Sequence, residues 1–176
     1  MISDFVKGKK KYEYPKEIQQ GIALHREIDS FTDTHFATKE AKDIFRPDYR
    51  LYAGPFIDVV YDHFLALDEN EFTDESLEAF TIHTYNLLDE NTNHFPEKFK
   101  AMYPYMRAHN WLYHYRYREG IQRSFGGVVR RSKYLTESDT AYILFIDHYD
   151  ELNQFYKLFF PDLKSMTLNF LKQFDD

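Results

Sequence analysis

The sequence contains no cysteine. That absence removes disulfides, thiolate-held zinc, iron–sulfur clusters and thiol nucleophiles together, so any metal must be held by oxygen and nitrogen. Glycine and proline are scarce, six of each in 176 residues, and so few punctuators favour long helices over many short strands. Long apolar runs are missing too. Stretches such as Ala141–Ile146 fall far short of the roughly 18 residues that span a bilayer, and no signal-peptide pattern opens the chain, so a cytoplasmic protein is expected. Basic charge is in the minority, 22 Lys and Arg against 29 Asp and Glu, and the net charge of −7 argues against general affinity for nucleic acid. What is plentiful is aromatic: 17 Phe and 15 Tyr predict an aromatic core, in a chain of a length suited to one domain spanning residues 1–176.

Apolar spacing predicts an all-α fold of about seven helices, with no Asn-Gly hairpin, sustained alternation or internal repeat. The first helix is expected from Pro15 to Thr34, carrying Ile18, Ile22, Leu24 and Ile28. The second, Pro55 to Leu67, is apolar nearly all round and is expected to be enclosed. A third starts at Asp74 and ends before Asn91, and a fourth runs from Pro96 to Ala108. Gly120, Gly126 and Gly127 divide Trp111–Lys133 into two short helices. A capping box at Thr136 and Asp139 opens a helix reaching Pro161, and a last one covers Lys164–Phe174.

Three features bear on chemistry. His25, Asp29 and Asp33 recur every four residues along the first helix and continue the line of Ile18 and Ile22, which suggests that they face a shared cavity. The ordinary alternative is a solvated helix edge. Asp58, Asp62 and His63 lie in the most apolar helix, where carboxylates need a cation or strong hydrogen bonds; Arg26 is one candidate partner, and a lone core histidine is more often structural than a ligand. Two helices offering aspartates and a histidine, with no thiol, suit Mn²⁺, Mg²⁺ or Fe²⁺. Third, Arg116, Arg118, Arg123, Arg130, Arg131 and Lys133 stand against Glu119 alone between His114 and Lys133, a basic island suited to a phosphate or an acidic protein face. Its interleaved tyrosines would also suit stacking on RNA bases. Lys7, Lys9, Lys10 and Lys11 read as a solvated loop, and no phosphate-binding Gly-Lys-Ser/Thr loop occurs.

The runs Ser3-Asp4-Phe5-Val6-Lys7-Gly8, Gly21-Ile22-Ala23-Leu24-His25-Arg26-Glu27-Ile28-Asp29 with Thr32-Asp33, Asp58-Val59-Val60-Tyr61-Asp62-His63-Phe64-Leu65, and Trp111-Leu112 through Arg116, Ile121 and Gln122 together resemble the acyl carrier protein phosphodiesterase family. The resemblance implies an all-helical, HD-phosphohydrolase-like domain and a divalent ion, typically manganese. It also implies hydrolysis of the phosphodiester joining 4′-phosphopantetheine to a serine of acyl carrier protein. Asp4, His25, Asp29, Asp62 and His63 match the family's acidic and histidine positions. On that footing His25, Asp29 and Asp62 are expected as ligands, Asp4 and His63 as catalytic groups, and Arg26, Arg116, Arg118, Arg123, Arg130 and Arg131 as contacts to the phosphoryl group and the acidic carrier. An HD-type hydrolase of small phosphate esters and a non-catalytic carrier-binding module are the competing readings. Family members usually begin with a hydrophobic, histidine-containing segment upstream of the position matching Asp4, whereas this chain starts three residues before it, so a missing N-terminal segment and an incomplete site are expected.

Overall fold

The computed structural model describes residues 2–174, all of whose regular structure is helical. The order is α1 (Lys16–Thr34), α2 (Phe36–Tyr49), α3 (Ala53–Ala66), α4 (Asp74–Glu90), α5 (Glu97–Ala108), α6 (Trp111–His114), α7 (Arg118–Arg131), α8 (Asp139–Asp147) and α9 (Tyr149–Leu171). Short 3-10 turns at Ser3–Phe5 and Gly8–Glu13 lead into α1. Among the described residues no helix is long and apolar enough to cross a membrane.

Helix α3 is the spine. Phe56, Ile57, Val60 and Phe64 are buried and pack towards α2, α7 and α9. Aromatic rings fill the joints, with Phe56 stacked on Phe45 at 5.9 Å and edge-on to Phe125 at 4.9 Å, geometries that suit the ring quadrupoles. A smaller cluster of Tyr85, Phe99, Tyr103 and Met106 joins α4 to α5. There the Tyr85 hydroxyl donates to the Met106 carbonyl at 3.1 Å and accepts the Leu112 amide at 3.2 Å, which ties α6 to the same corner.

Four expectations change. Helix α2 was not predicted; it buries Ala37, Thr38, Ala41, Phe45 and Tyr49 on one face, and Pro47 falls late enough to disturb only its last turn. Trp111–Lys133 does hold two helices, α6 and α7, but the break falls at Tyr115–Tyr117, and Gly126 and Gly127 do not interrupt α7, which runs unbroken to Arg131. At the C-terminus the break lies at His148, and α9 then passes through Pro161. Pro161 and Lys157, whose carbonyl loses its partner, both face solvent, where water can replace the lost bond. The Thr136–Asp139 capping box is absent; instead Glu137 accepts the Thr140 amide at 3.0 Å while the Tyr49 hydroxyl accepts the Ala141 amide at 2.8 Å.

Candidate metal and catalytic site

The 3-10 turn Ser3–Phe5 lies across α1 and places Asp4 over His25. His25 Nε2 approaches Asp4 Oδ1 at 3.2 Å, and its Nδ1 approaches Asp29 Oδ1, one turn further along α1, at 3.0 Å. One atom from each of the three lies within 4.8 Å of the others. Each ring nitrogen thus lies within ion-pair distance of one carboxylate oxygen, an arrangement that favours the protonated ring. In keeping with this, the hydrogen bond to Asp4 lifts His25 above the usual histidine range and holds Asp4 below the usual carboxylate range. Asp29 moves the other way, because partial burial raises its carboxyl despite the neighbouring ring. Two oxygens and a nitrogen that converge so closely match the donor preference of Mn²⁺, Mg²⁺ or Fe²⁺. Release of one ring proton would free a lone pair while the other carboxylate keeps the ring oriented.

Asp33, the next rung of the ladder, is not part of this cluster. It pairs with Lys42 of α2 at 2.7 Å.

The expected liganding by Asp62 and the catalytic role of His63 do not fit this geometry as simply. His63 is 1% exposed. Its Nδ1 donates to the Tyr115 carbonyl at 2.6 Å, so its Nε2 must accept from the Tyr149 hydroxyl at 2.9 Å, and burial lowers its pKa. Neither nitrogen is left for an ion or a substrate. His63 instead pins α6 and α9 to α3. His63→Leu keeps the volume but strands the Tyr115 carbonyl and the Tyr149 hydroxyl; a loss of about 2–4 kcal/mol is expected in chemical denaturation. A variant as stable as the wild type would contradict the structural role.

Asp58 and Asp62 sit one turn apart on the single open face of α3 rather than inside the core. Both are exposed, yet the protein mass around α3 takes away part of their hydration. The lost hydration raises Asp58 to about 6 and Asp62 to about 7. Lys42, not Arg26, is the cation that opposes the shift at Asp58, which also feels the charge of Asp29, Asp33 and Asp4. The Tyr115 hydroxyl is close enough to Asp62 to oppose the shift there. Folding therefore leaves protons on these two groups that the unfolded chain sheds near pH 4. Their contribution to stability is present below that pH and lost as pH rises through 6 and 7. Without added metal, the melting temperature should fall between pH 5.5 and 8.5, and Asp62→Asn should flatten the slope; an unchanged slope would contradict the assignment.

The basic island divides. Arg123, Arg130 and Arg131 line a cleft of about 910 Å³ whose walls include Trp111, Tyr115 and Met102. Arg131 is near enough to Asp4 to lower its pKa. Arg116 is committed elsewhere, in an ion pair with Asp74 and a hydrogen bond to the Tyr113 hydroxyl at 2.9 Å, and Arg118 lies over the Tyr149 ring at 4.6 Å. Arg26 does not reach into the site either: it donates to the Val6 carbonyl at 2.8 Å and holds the segment that bears Asp4. A second, apolar groove of about 490 Å³ opens at His25 between α1 and α4.

An all-helical domain with an oxygen- and nitrogen-lined cluster beside an arginine cleft has the outline of a hydrolase acting on anionic substrates. The chain belongs to the acyl carrier protein phosphodiesterase family, whose model matches residues 1–163. It is 30% identical over 164 residues to an acyl carrier protein phosphodiesterase of Yersinia pestis, covering 93% of this chain and 85% of that relative. It is 31% identical over 170 residues to that of Klebsiella pneumoniae subsp. pneumoniae, covering 96% and 88%. The relative from Photorhabdus laumondii is 29% identical over 170 residues, covering 96% and 86%. No solved structure matches the chain.

Proposed function

We propose that this protein hydrolyses the phosphodiester between 4′-phosphopantetheine and a serine of acyl carrier protein, with a divalent ion, Mn²⁺ by preference, held by Asp4, His25 and Asp29. The observation that carries the reading is the convergence of those three groups beside an arginine-lined cleft in a member of this family. The ion, when bound, supplies a water of lowered pKa and a polarised phosphoryl oxygen.

The remaining work falls to the chain. His25 gives up one ring proton and keeps the other on a carboxylate, which fixes its tautomer. Asp62, with its carboxyl near 7, is suited to proton transfer at neutral pH, and Tyr115, which acts on its titration, lines the cleft from which the seryl oxygen would depart. Arg123, Arg130 and Arg131 take up phosphoryl charge and the acidic face of the carrier. This assignment makes Asp4 a ligand and Asp62 the proton carrier, exchanging the roles expected from the sequence.

Holo acyl carrier protein incubated with the enzyme and Mn²⁺ should lose the mass of phosphopantetheine. No loss with Mn²⁺, Mg²⁺ or Fe²⁺ would overturn the reading. Turnover of small phosphate esters alone would replace it with the small-ester reading, and chelator-insensitive binding without turnover with that of a carrier-binding module.

A further inference from the structure

The apolar groove between α1 and α4 has no role in the reading so far. Ile18, Ile22, Leu87, Leu88 and Phe95 supply its apolar wall, and Thr84, Asn91 and His94 add scattered hydrogen-bonding groups. Its volume of about 490 Å³ is that of a small-molecule site rather than a packing defect. It is continuous with the candidate site, because His25 both lines it and forms the centre of the Asp4–His25–Asp29 cluster.

Gly21, one turn before His25, also lines the groove. A glycine within a helix costs about 1 kcal/mol relative to alanine, and no packing contact accounts for this one: a Cβ there would meet nothing within 4 Å. What the missing side chain leaves is open space beside His25.

A phosphodiester has two substituents, and two differently built recesses lie near the cluster: the groove, which His25 lines, and the cleft, whose Arg131 is close enough to lower the pKa of Asp4. The arginine cleft suits an acidic protein. The groove suits a slender chain, mostly apolar, with a few amides that need partners.

We propose that the groove from His25 towards Glu17 binds the pantetheine arm of the carrier, so that the arm stays on the α1–α4 side while the serine departs on the cleft side. The inference rests on the phosphodiesterase reading and adds the location of the arm. Glu17 is two turns from His25, ~12 Å along α1, and so stands where the thiol end of a partly extended arm would lie.

The absence of native cysteine permits a direct test. Glu17→Cys, and Ser124→Cys in the arginine cleft, each introduce a single thiol. Holo carrier with its pantetheine thiol activated as a 2-pyridyl disulfide is mixed with each variant in chelator, and thiol exchange is followed by release of pyridine-2-thione. Rates are normalised to each variant's reaction with free dipyridyl disulfide. Glu17→Cys should cross-link at least tenfold faster than Ser124→Cys, and adding Gly21→Phe to the first variant, to fill the groove, should remove that advantage. Equal rates, or faster reaction in the cleft, would overturn the inference. The wild-type mass assay separates the two levels: release of phosphopantetheine with no preference for Glu17→Cys sinks the groove alone, whereas no release sinks both.

Discussion

His25→Ala is expected to lower turnover of holo acyl carrier protein about 10³-fold, the scale on which loss of one organising electrostatic group acts, while the protein still folds. His25 is the only one of the three clustered groups that touches both of the others. Without its ring, Asp4 and Asp29 face each other as like charges, and the nitrogen donor is gone. The structural penalty should be small, because ion pairs to solvent-exposed carboxylates contribute about 0–1 kcal/mol; the melting temperature should move by no more than about 4 °C. Mn²⁺ titration calorimetry gives an independent readout. In the wild type, the ion must compete with the proton for a ring whose pKa lies above its ordinary value, so affinity should fall as pH drops, with proton release visible in buffers of different ionisation enthalpy. His25→Ala should lose both the affinity and the proton release. Asp33→Ala, one rung further along the same helix face, breaks only the contact with Lys42 and should keep turnover within about threefold. A His25→Ala enzyme with near-wild-type turnover would remove the cluster from the mechanism.

The contrast between His25 and Asp33 marks the limit of periodicity. Spacing placed both on one helix face, and the groove confirms that Ile18, Ile22 and His25 share a cavity. Which rung meets a partner depends on Asp4, 21 positions away, and on Lys42 of a helix that the apolar pattern did not reveal. Helix α2 did leave a signal, since Ala37, Ala41, Phe45 and Tyr49 recur at helical spacing, but two of the four are alanines and Pro47 reads as a stop. For α3 the pattern was legible and the inference from it was not: a helix rich in apolar residues still kept one open face, and Asp58 and Asp62 lie on it. His63 shows the reverse. Its place in the apolar stripe pointed to the core, as the structure has it, whereas the matching family position drew it towards catalysis. Three of the basic residues have partners that the sequence does not show. Arg116, Arg118 and Arg26 are free charges in a sequence, and only tertiary structure supplies Asp74, the Tyr149 ring and the Val6 carbonyl that occupy them.

Gly120→Ala is expected to destabilise the protein by about 3 kcal/mol or more and to lower the melting temperature by roughly 6–12 °C. In sequence Gly120 reads as a helix breaker, yet it is the third residue of α7. An ideal Cβ at this position would lie 2.0 Å from the His114 carbonyl oxygen and 2.8 Å from its carbon. These are backbone atoms, so no rotamer change relieves the clash. Either α6 or the start of α7 must move, and the link between them is short, with the Tyr117 amide donating to His114 at 3.1 Å and the Gly120 amide donating to Tyr117 at 2.9 Å. Displacing this turn also disturbs Tyr115, whose carbonyl holds His63 and whose side chain reaches Asp62, so loss of activity should accompany loss of stability. Gly126→Ala is the internal comparison. Its added Cβ meets the end of the flexible Arg130 side chain at 3.4 Å and the Ser138 hydroxyl at 4.0 Å, both ordinary contacts, and the gain in helix propensity of up to about 1 kcal/mol should leave stability unchanged or improved. Denaturant titration of the two variants in parallel separates a glycine required by close packing from one that the helix merely tolerates, and equal stabilities would show that the α6–α7 turn is free to shift.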